Sequence, residues 1–230
     1  MLPGKAKLFK CPHCGYQKPL LNLRSGNTFE GRQWSDARTY FPMWPEISPV
    51  QRCPECGHYW FAGYAEASPG ECRSEDTGDL DLNQARESLE ELWTPTMNDE
   101  DKVTLLLNFV HVYNDTFFRY ETSAIPSDED KELFDTVVLS LYNCSFVYIN
   151  GTLKAELLRE AGRFRQCIDF LDSSITISGF IANIRKEIKN RAQVGDSRVF
   201  DMALVQKPSF WKSLATIITG LIDTWEHLRK

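Results

Sequence analysis

The chain has 230 residues, 42% hydrophobic and 12% aromatic, with a formal net charge of −6 at pH 7. That length and apolar content suffice for one large domain or two smaller ones with buried cores, while the acidic balance weakens non-specific attraction to phosphate backbones. The best apolar run, residues 214–222, is interrupted by Thr216, Thr219 and Gly220 and falls far short of the roughly 18 residues that suggest a bilayer span, so no membrane helix is expected.

At the start, Lys5 and Lys7 precede no apolar run, which is unlike a secretory signal. With seven cysteines, four of them in close pairs, the sequence predicts a cytosolic protein whose thiols bind metal. The pairs lie in two copies of one pattern, Cys11-Pro12-His13-Cys14-Gly15 and Cys53-Pro54-Glu55-Cys56-Gly57. Two residues between cysteines let a tight turn aim both sulfurs at one ion, and four thiolates complete a tetrahedral shell. The predicted ligands are therefore Cys11, Cys14, Cys53 and Cys56, holding one structural Zn²⁺. Gly15 and Gly57 stand where the chain must reverse with φ > 0. His13 and His58 are surplus to a complete shell and are expected to be exposed turn residues. Such a shell leaves no position for substrate or activated water, so the site predicts no reaction. The same donors could hold iron in a rubredoxin-like electron carrier, because soft sulfur suits either metal.

Short strands are expected on either side of the first pair, at residues 8–10 and 16–23. The 38 residues separating the two pairs exceed what compact four-cysteine modules use, so the module must carry an insertion. That insertion holds Trp34, Tyr40, Phe41 and Trp44 among prolines, interleaved with Arg24, Arg32, Arg38 and Arg52. Rings packed over a small metal module would supply its core. Alternatively, rings could stack on bases while guanidinium groups meet phosphates, a nucleic-acid-binding reading. Residues 1–60 carry eight Lys/Arg and four acids, a net +4, which leaves −6 − 4 = −10 for the remainder. A thiolate-bound ion adds about −2 locally and moderates the positive half.

Acids accumulate from residue 65, where the composition reads as an acidic linker over 65–80 passing into a helix. Asp81 or Asn83 is its cap, and Thr94-Pro95 its end. Cys72, among acids, is expected to be a free and unreactive thiol. Beyond residue 98 everything reads as helical. One helix spans residues 98–119 with Asp99, Glu100 and Asp101 in its first turn. Another starts at the cap Ser127 and carries an apolar stripe as far as Tyr148 and Ile149. A short pair follows at 152–161 and 165–172, joined at Gly162. A helix over 178–192 has a stripe at Ile181, Ile184 and Ile188, and a last one is expected from Pro208.

Within residues 155–171, Gly162 and Phe164 at the joint, with Cys167 and Leu171 on the second helix, resemble one unit of a tetratricopeptide repeat. A four-cysteine ribbon followed by such a region is similar to a group of bacterial cytosolic proteins. That resemblance implies metal binding, suggests protein interaction and implies no reaction.

Catalytic patterns are thin. His111 and His227, the histidines of the helical part, occur in no nucleophile or metalloprotease motif, and there is no glycine-rich phosphate loop. His111 is expected to be a core or boundary residue, and Cys144 and Cys167 small core hydrophobes. The fold class predicted is thus α+β and mostly α. It comprises a zinc ribbon with an inserted loop over 1–64, the linker over 65–80, and an all-α, tetratricopeptide-like domain over 81–230. The predicted function is a non-catalytic zinc-binding adaptor with a protein partner and no evident small-molecule substrate.

Overall fold

Short antiparallel hairpins build the N-terminal third, and helices build the rest. The structure, a computed structural model, describes residues 2–44, 46–120, 123–144, 151–174 and 178–206. The helix expected from Pro208, and the stripe positions Ser145, Tyr148 and Ile149, lie outside the described residues.

Strand β2 (Lys7–Lys10) pairs antiparallel with β3 (Gln17–Leu20) on one side and with β9 (Ala67–Pro69) on the other. The acidic stretch after residue 65 therefore supplies a sheet strand. It also receives Leu21 N–H at Asp76 O, at 2.6 Å, and Ser48 N–H at Thr77 O, at 2.9 Å. Gly78 sits here with φ +74°, and a Cβ at this position would lie 1.9 Å from Gln51 Oε1, so close approach and backbone conformation both demand glycine. Strand β1 (Leu2–Pro3) pairs with β4 (Leu23–Ser25), and β7 (Val50–Arg52) pairs with β8 (Tyr59–Phe61). Between β4 and β7 the insertion forms a small hairpin, β5 (Arg32–Gln33) with β6 (Thr39–Tyr40).

Seven α-helices follow among the described residues. Helix α1 (Leu82–Leu92) starts on a reciprocal cap, in which the Asp81 side chain accepts from Gln84 N–H and the Gln84 side chain accepts from Asp81 N–H. Helix α2 (Asp99–Phe117) is capped by Asn98, and α3 (Asp128–Asn143) by Ser127. Acids fill the first turns of α2 and α3, where they complement the helix dipole. Helices α4 (Gly151–Glu160) and α5 (Phe164–Ser173) are joined at Gly162, φ +70°. There Arg163 N–H bonds Leu158 O and Gly162 N–H bonds Arg159 O, the paired bonds of a Schellman terminus. Helix α6 (Phe180–Gln193) ends the same way at Gly195, and α7 (Ala203–Gln206) is a single turn. On α6 the buried stripe is Ile184, Ile188 and Ala192. Ile181, expected on that stripe, is exposed, because the buried residues recur every four positions.

Each helix packs on the next, and α4 also packs on α6. One core joins α1, α2 and α3 to Leu153 and Leu157 of α4, and it takes in Val50 and Tyr59 from the β7–β8 hairpin. A second core joins α4, α5 and α6 to Phe200 and includes Cys167; Cys144 lies at the margin of the first. The cysteine-bearing hairpin is thus built into the apolar interior that holds the helices. No described helix is long and apolar enough to cross a membrane.

Candidate metal centre and buried charge network

Each cysteine pair sits at the tip of a hairpin, the first between Lys10 and Gln17 and the second between Arg52 and Tyr59. The two tips carry the same hydrogen bonds. Gly15 N–H bonds Cys11 O and Gly57 N–H bonds Cys53 O, at 2.9 and 3.0 Å, while Cys11 N–H bonds Tyr16 O and Cys53 N–H bonds His58 O, at 2.7 and 2.9 Å. Gly15 and Gly57 have φ +78° and +79°, the left-handed conformation the sequence required of them.

The two tips bring all four sulfurs together. Cys11 Sγ lies 3.8 Å from Cys56 Sγ, Cys14 Sγ lies 3.6 Å from Cys53 Sγ, and all four fall within 4.8 Å of one another. A tetrahedron of sulfurs about 2.3 Å from a central ion has edges of about 3.8 Å, so the donors fit one metal ion. Cys11 and Cys53 are buried, Cys56 is half-buried and Cys14 faces solvent. Trp60 packs against the cluster as its apolar cover, the role expected of an aromatic in a small metal module.

The thiols differ in proton affinity. Burial works to raise Cys53, but the Cys56 and Glu55 N–H groups aimed at its sulfur, and the neighbouring thiols, bring it down to about 7. Burial and the crowding of the other sulfurs push Cys56 up to about 12. Binding an ion replaces these protons with a charge that all four thiolates share.

His13, exposed, and His58, half-buried, lie outside the four-sulfur group. Their rings lie 3.7 Å apart centre to centre, and His58 Nδ1 meets Glu91 Oε1 at 2.7 Å. Cys72 is exposed and free.

The insertion reaches a second polar centre that the sequence did not reveal. Trp34 N–H bonds Arg38 O at 2.8 Å, closing a turn in which Ala37 has φ 67° and Asp36 points inward. The Asp36 side chain is completely buried. Its oxygens accept from Arg119 Nη1 at 3.1 Å, Arg119 Nη2 at 2.5 Å and Asn114 Nδ2 at 2.9 Å, and its backbone carbonyl accepts from His111 Nε2 at 3.1 Å. The Trp34 ring covers the Arg119 guanidinium at 5.0 Å. Gln33 to Asp36 also lie along residues 200–202, with Ser35 N–H bonded to Phe200 O at 3.0 Å and Met202 N–H to Gln33 O at 2.8 Å.

Burial alone would raise the Asp36 carboxyl, but His111, Arg119 and Asn114 outweigh it and hold it below the ordinary range. Burial lowers His111, with Arg38 and Arg119 adding to the effect against Asp36, and its Nε2–H donates to the Asp36 carbonyl. On α4, Glu156 and Arg159 form a fully buried bidentate pair, and Arg159 Nη1 also donates to Asp196 O at 2.5 Å.

The aromatics and arginines of the insertion thus divide. Trp34 is buried against Arg119 and Arg38 lies 4.0 Å from Asp115, whereas Arg24, Arg32, Phe29, Tyr40 and Trp44 are exposed. Compared with protein-family models, with curated proteins and with solved structures, the chain matches none.

Proposed function

We propose that the protein is a non-catalytic adaptor whose four thiolates hold one structural Zn²⁺ and whose helical region engages another protein. The observation that carries this reading is the mutual approach of four sulfurs within 4.8 Å, which spends all four positions of a tetrahedral ion on the protein itself. The cluster stands at the tips of β2–β3 and β7–β8, and the second hairpin lends Val50 and Tyr59 to the helical core. An ion there fixes the frame on which the helices stand. Apolar side chains exposed on the helical part, among them Ile125, Val194 and Leu204, offer surface that a partner would cover.

The runner-up, a ribbon that binds RNA or DNA, draws support from exposed Arg24 and Arg32 beside exposed Phe29, Tyr40 and Trp44. It loses Trp34, whose ring is engaged by Arg119.

Elemental analysis with affinity capture from nuclease-treated lysate tests the reading. One zinc per chain and a protein retained after nuclease treatment are expected. Iron with visible absorbance, or a catch abolished by nuclease and by raised salt, would replace the adaptor with a carrier or a nucleic-acid binder.

A further inference from the structure

The four-sulfur centre presents its donors unequally to solvent. Cys11 and Cys53 are buried, Cys56 is half-buried, and of the four only Cys14 is exposed. A reagent arriving from solution therefore meets Cys14 first. Geometry also sets which sulfur stands next to it. Both close sulfur contacts run from one hairpin to the other, Cys14 Sγ to Cys53 Sγ at 3.6 Å and Cys11 Sγ to Cys56 Sγ at 3.8 Å. A disulfide joins sulfurs about 2.05 Å apart, so Cys14 and Cys53 need to close by about 1.5 Å.

The hairpins are also held side by side by bonds that need no ion. Lys18 on β3 donates from Nζ to Gln51 Oε1 at 3.0 Å and to the Arg52 carbonyl at 3.3 Å, both on β7. Which pair of sulfurs oxidises then decides what becomes of the frame. A bond from Cys14 to Cys53 ties the β2–β3 tip to the β7–β8 tip at the place an ion would. A bond within one tip, Cys11 to Cys14 or Cys53 to Cys56, leaves the tips without a clasp. Val50 and Tyr59 of β7–β8 belong to the helical core, so the loss of that clasp would be felt in α1 and α2.

We propose that the centre is a peroxide-responsive clasp, in which oxidation joins Cys14 to Cys53 and exchanges the metal ion for a disulfide between the hairpins. This rests on the structural-zinc reading and adds a regulation of the same site. In the first step the Cys14 thiolate attacks one oxygen of a hydroperoxide. A sulfur–oxygen bond forms as the oxygen–oxygen bond breaks, and the leaving oxygen takes a proton from solvent to become water or an alcohol. In the second, the Cys53 thiolate attacks the Cys14 sulfur, and hydroxide leaves and is protonated to water. The two sulfurs together lose two electrons, which the hydroperoxide gains. Cys11 and Cys56 are then the only thiolates left, too few to close a tetrahedral shell, and the chain releases its ion.

The test treats the full, zinc-loaded chain with hydrogen peroxide beside a colorimetric zinc chelator, followed by non-reducing peptide mapping and amide exchange. Expected are one zinc released for each disulfide formed, a linked peptide pair carrying Cys14 and Cys53, and exchange in α1 and α2 no faster than in the loaded chain. Dithiothreitol with added zinc should restore the starting mass and metal content. Cys72→Ser, which removes the exposed thiol outside the cluster, should leave every one of these results unchanged. Zinc retained under excess peroxide, a Cys11–Cys14 or Cys53–Cys56 disulfide in place of the cross-link, or a disulfide that includes Cys72 would overturn the clasp while leaving the structural zinc in place. A chain that carries no zinc before treatment would overturn both.

Discussion

Two polar centres join parts of this chain that are far apart in sequence, and they do so by different physics. At the hairpin tips, four chemically identical donors converge on one point, 3.6–3.8 Å apart in the closest pairs recorded. At the inserted turn, unlike groups pair: Asp36 meets Arg119, 83 residues away, under a Trp34 lid. The first centre is incomplete without a cation from outside, because four thiolates brought together repel. The second supplies its own counter-charge and is complete within the chain, except at Glu160, a buried carboxyl whose Oε1 has no hydrogen-bond partner. The difference teaches where dependence on solution conditions should lie. The hairpin tips should respond to chelators, and the buried charges to substitution and pH.

The strongest way to break the comparison is to remove a sulfur. Cys53→Ser should cost on the order of 10 kcal/mol of metal-coupled folding energy. Because Val50 and Tyr59 belong to the helical core, amide exchange should rise in α1 and α2 as well as in the hairpins. A variant with full metal content and unchanged exchange would contradict this.

Next in size is Asp36→Ala, which strands the Arg119 guanidinium in a dry site and should cost about 3–5 kcal/mol in urea denaturation. Pairing it with Arg119→Met should recover most of that loss, since neither charge then remains. Failure of the double variant to improve on the single would show that the ion pair is not what the turn contributes.

Gly78→Ala probes the contact between the acidic stretch and Gln51. Left-handed backbone and a Cβ placed 1.9 Å from Gln51 Oε1 together predict a loss of about 1–3 kcal/mol.

The smallest effect is in pH dependence. Glu160 binds its proton more tightly in the folded chain than in the unfolded one. Its contribution is therefore whole below the ordinary value of 4.5 and is lost as pH rises toward the folded value. Asp36 acts in the opposite sense: its contribution is present above 3.8 and is lost as pH falls below it. Denaturation midpoints followed across pH should show Glu160→Gln flattening the decline above pH 4.5 and leaving the acid limb unchanged.

The metal centre was legible because its information is local. Two residues between cysteines, a glycine after each pair and a reducing composition specify donor type, turn and number before any tertiary contact is known. Helix starts were legible for the same reason, as Asp81, Asn98 and Ser127 cap through bonds to residues three positions on. What the 38-residue spacing disclosed was an insertion, but not its destination. Nothing local marks Asp36 as buried, since it stands between Ser35 and Ala37 in a polar turn and its partners lie on α2. Trp34 showed the ambiguity of an aromatic near arginines: the guanidinium it covers belongs to Arg119, outside the insertion. Glu160 was hidden too, because a glutamate near a helix end ordinarily faces water. The stripe on α6 was right at Ile184 and Ile188, and only Ile181 fails, because the apolar spacing there continues past the edge of the packed face.

The account rests on four sulfurs closing the coordination of one ion, and X-ray absorption at the metal edge of the purified full chain reads that directly. It predicts a zinc edge with four sulfur scatterers at about 2.3 Å and no lighter ligand. A mixed shell of sulfur with oxygen or nitrogen would contradict it, because an open or water-filled position would make the centre a place for chemistry instead of a clasp.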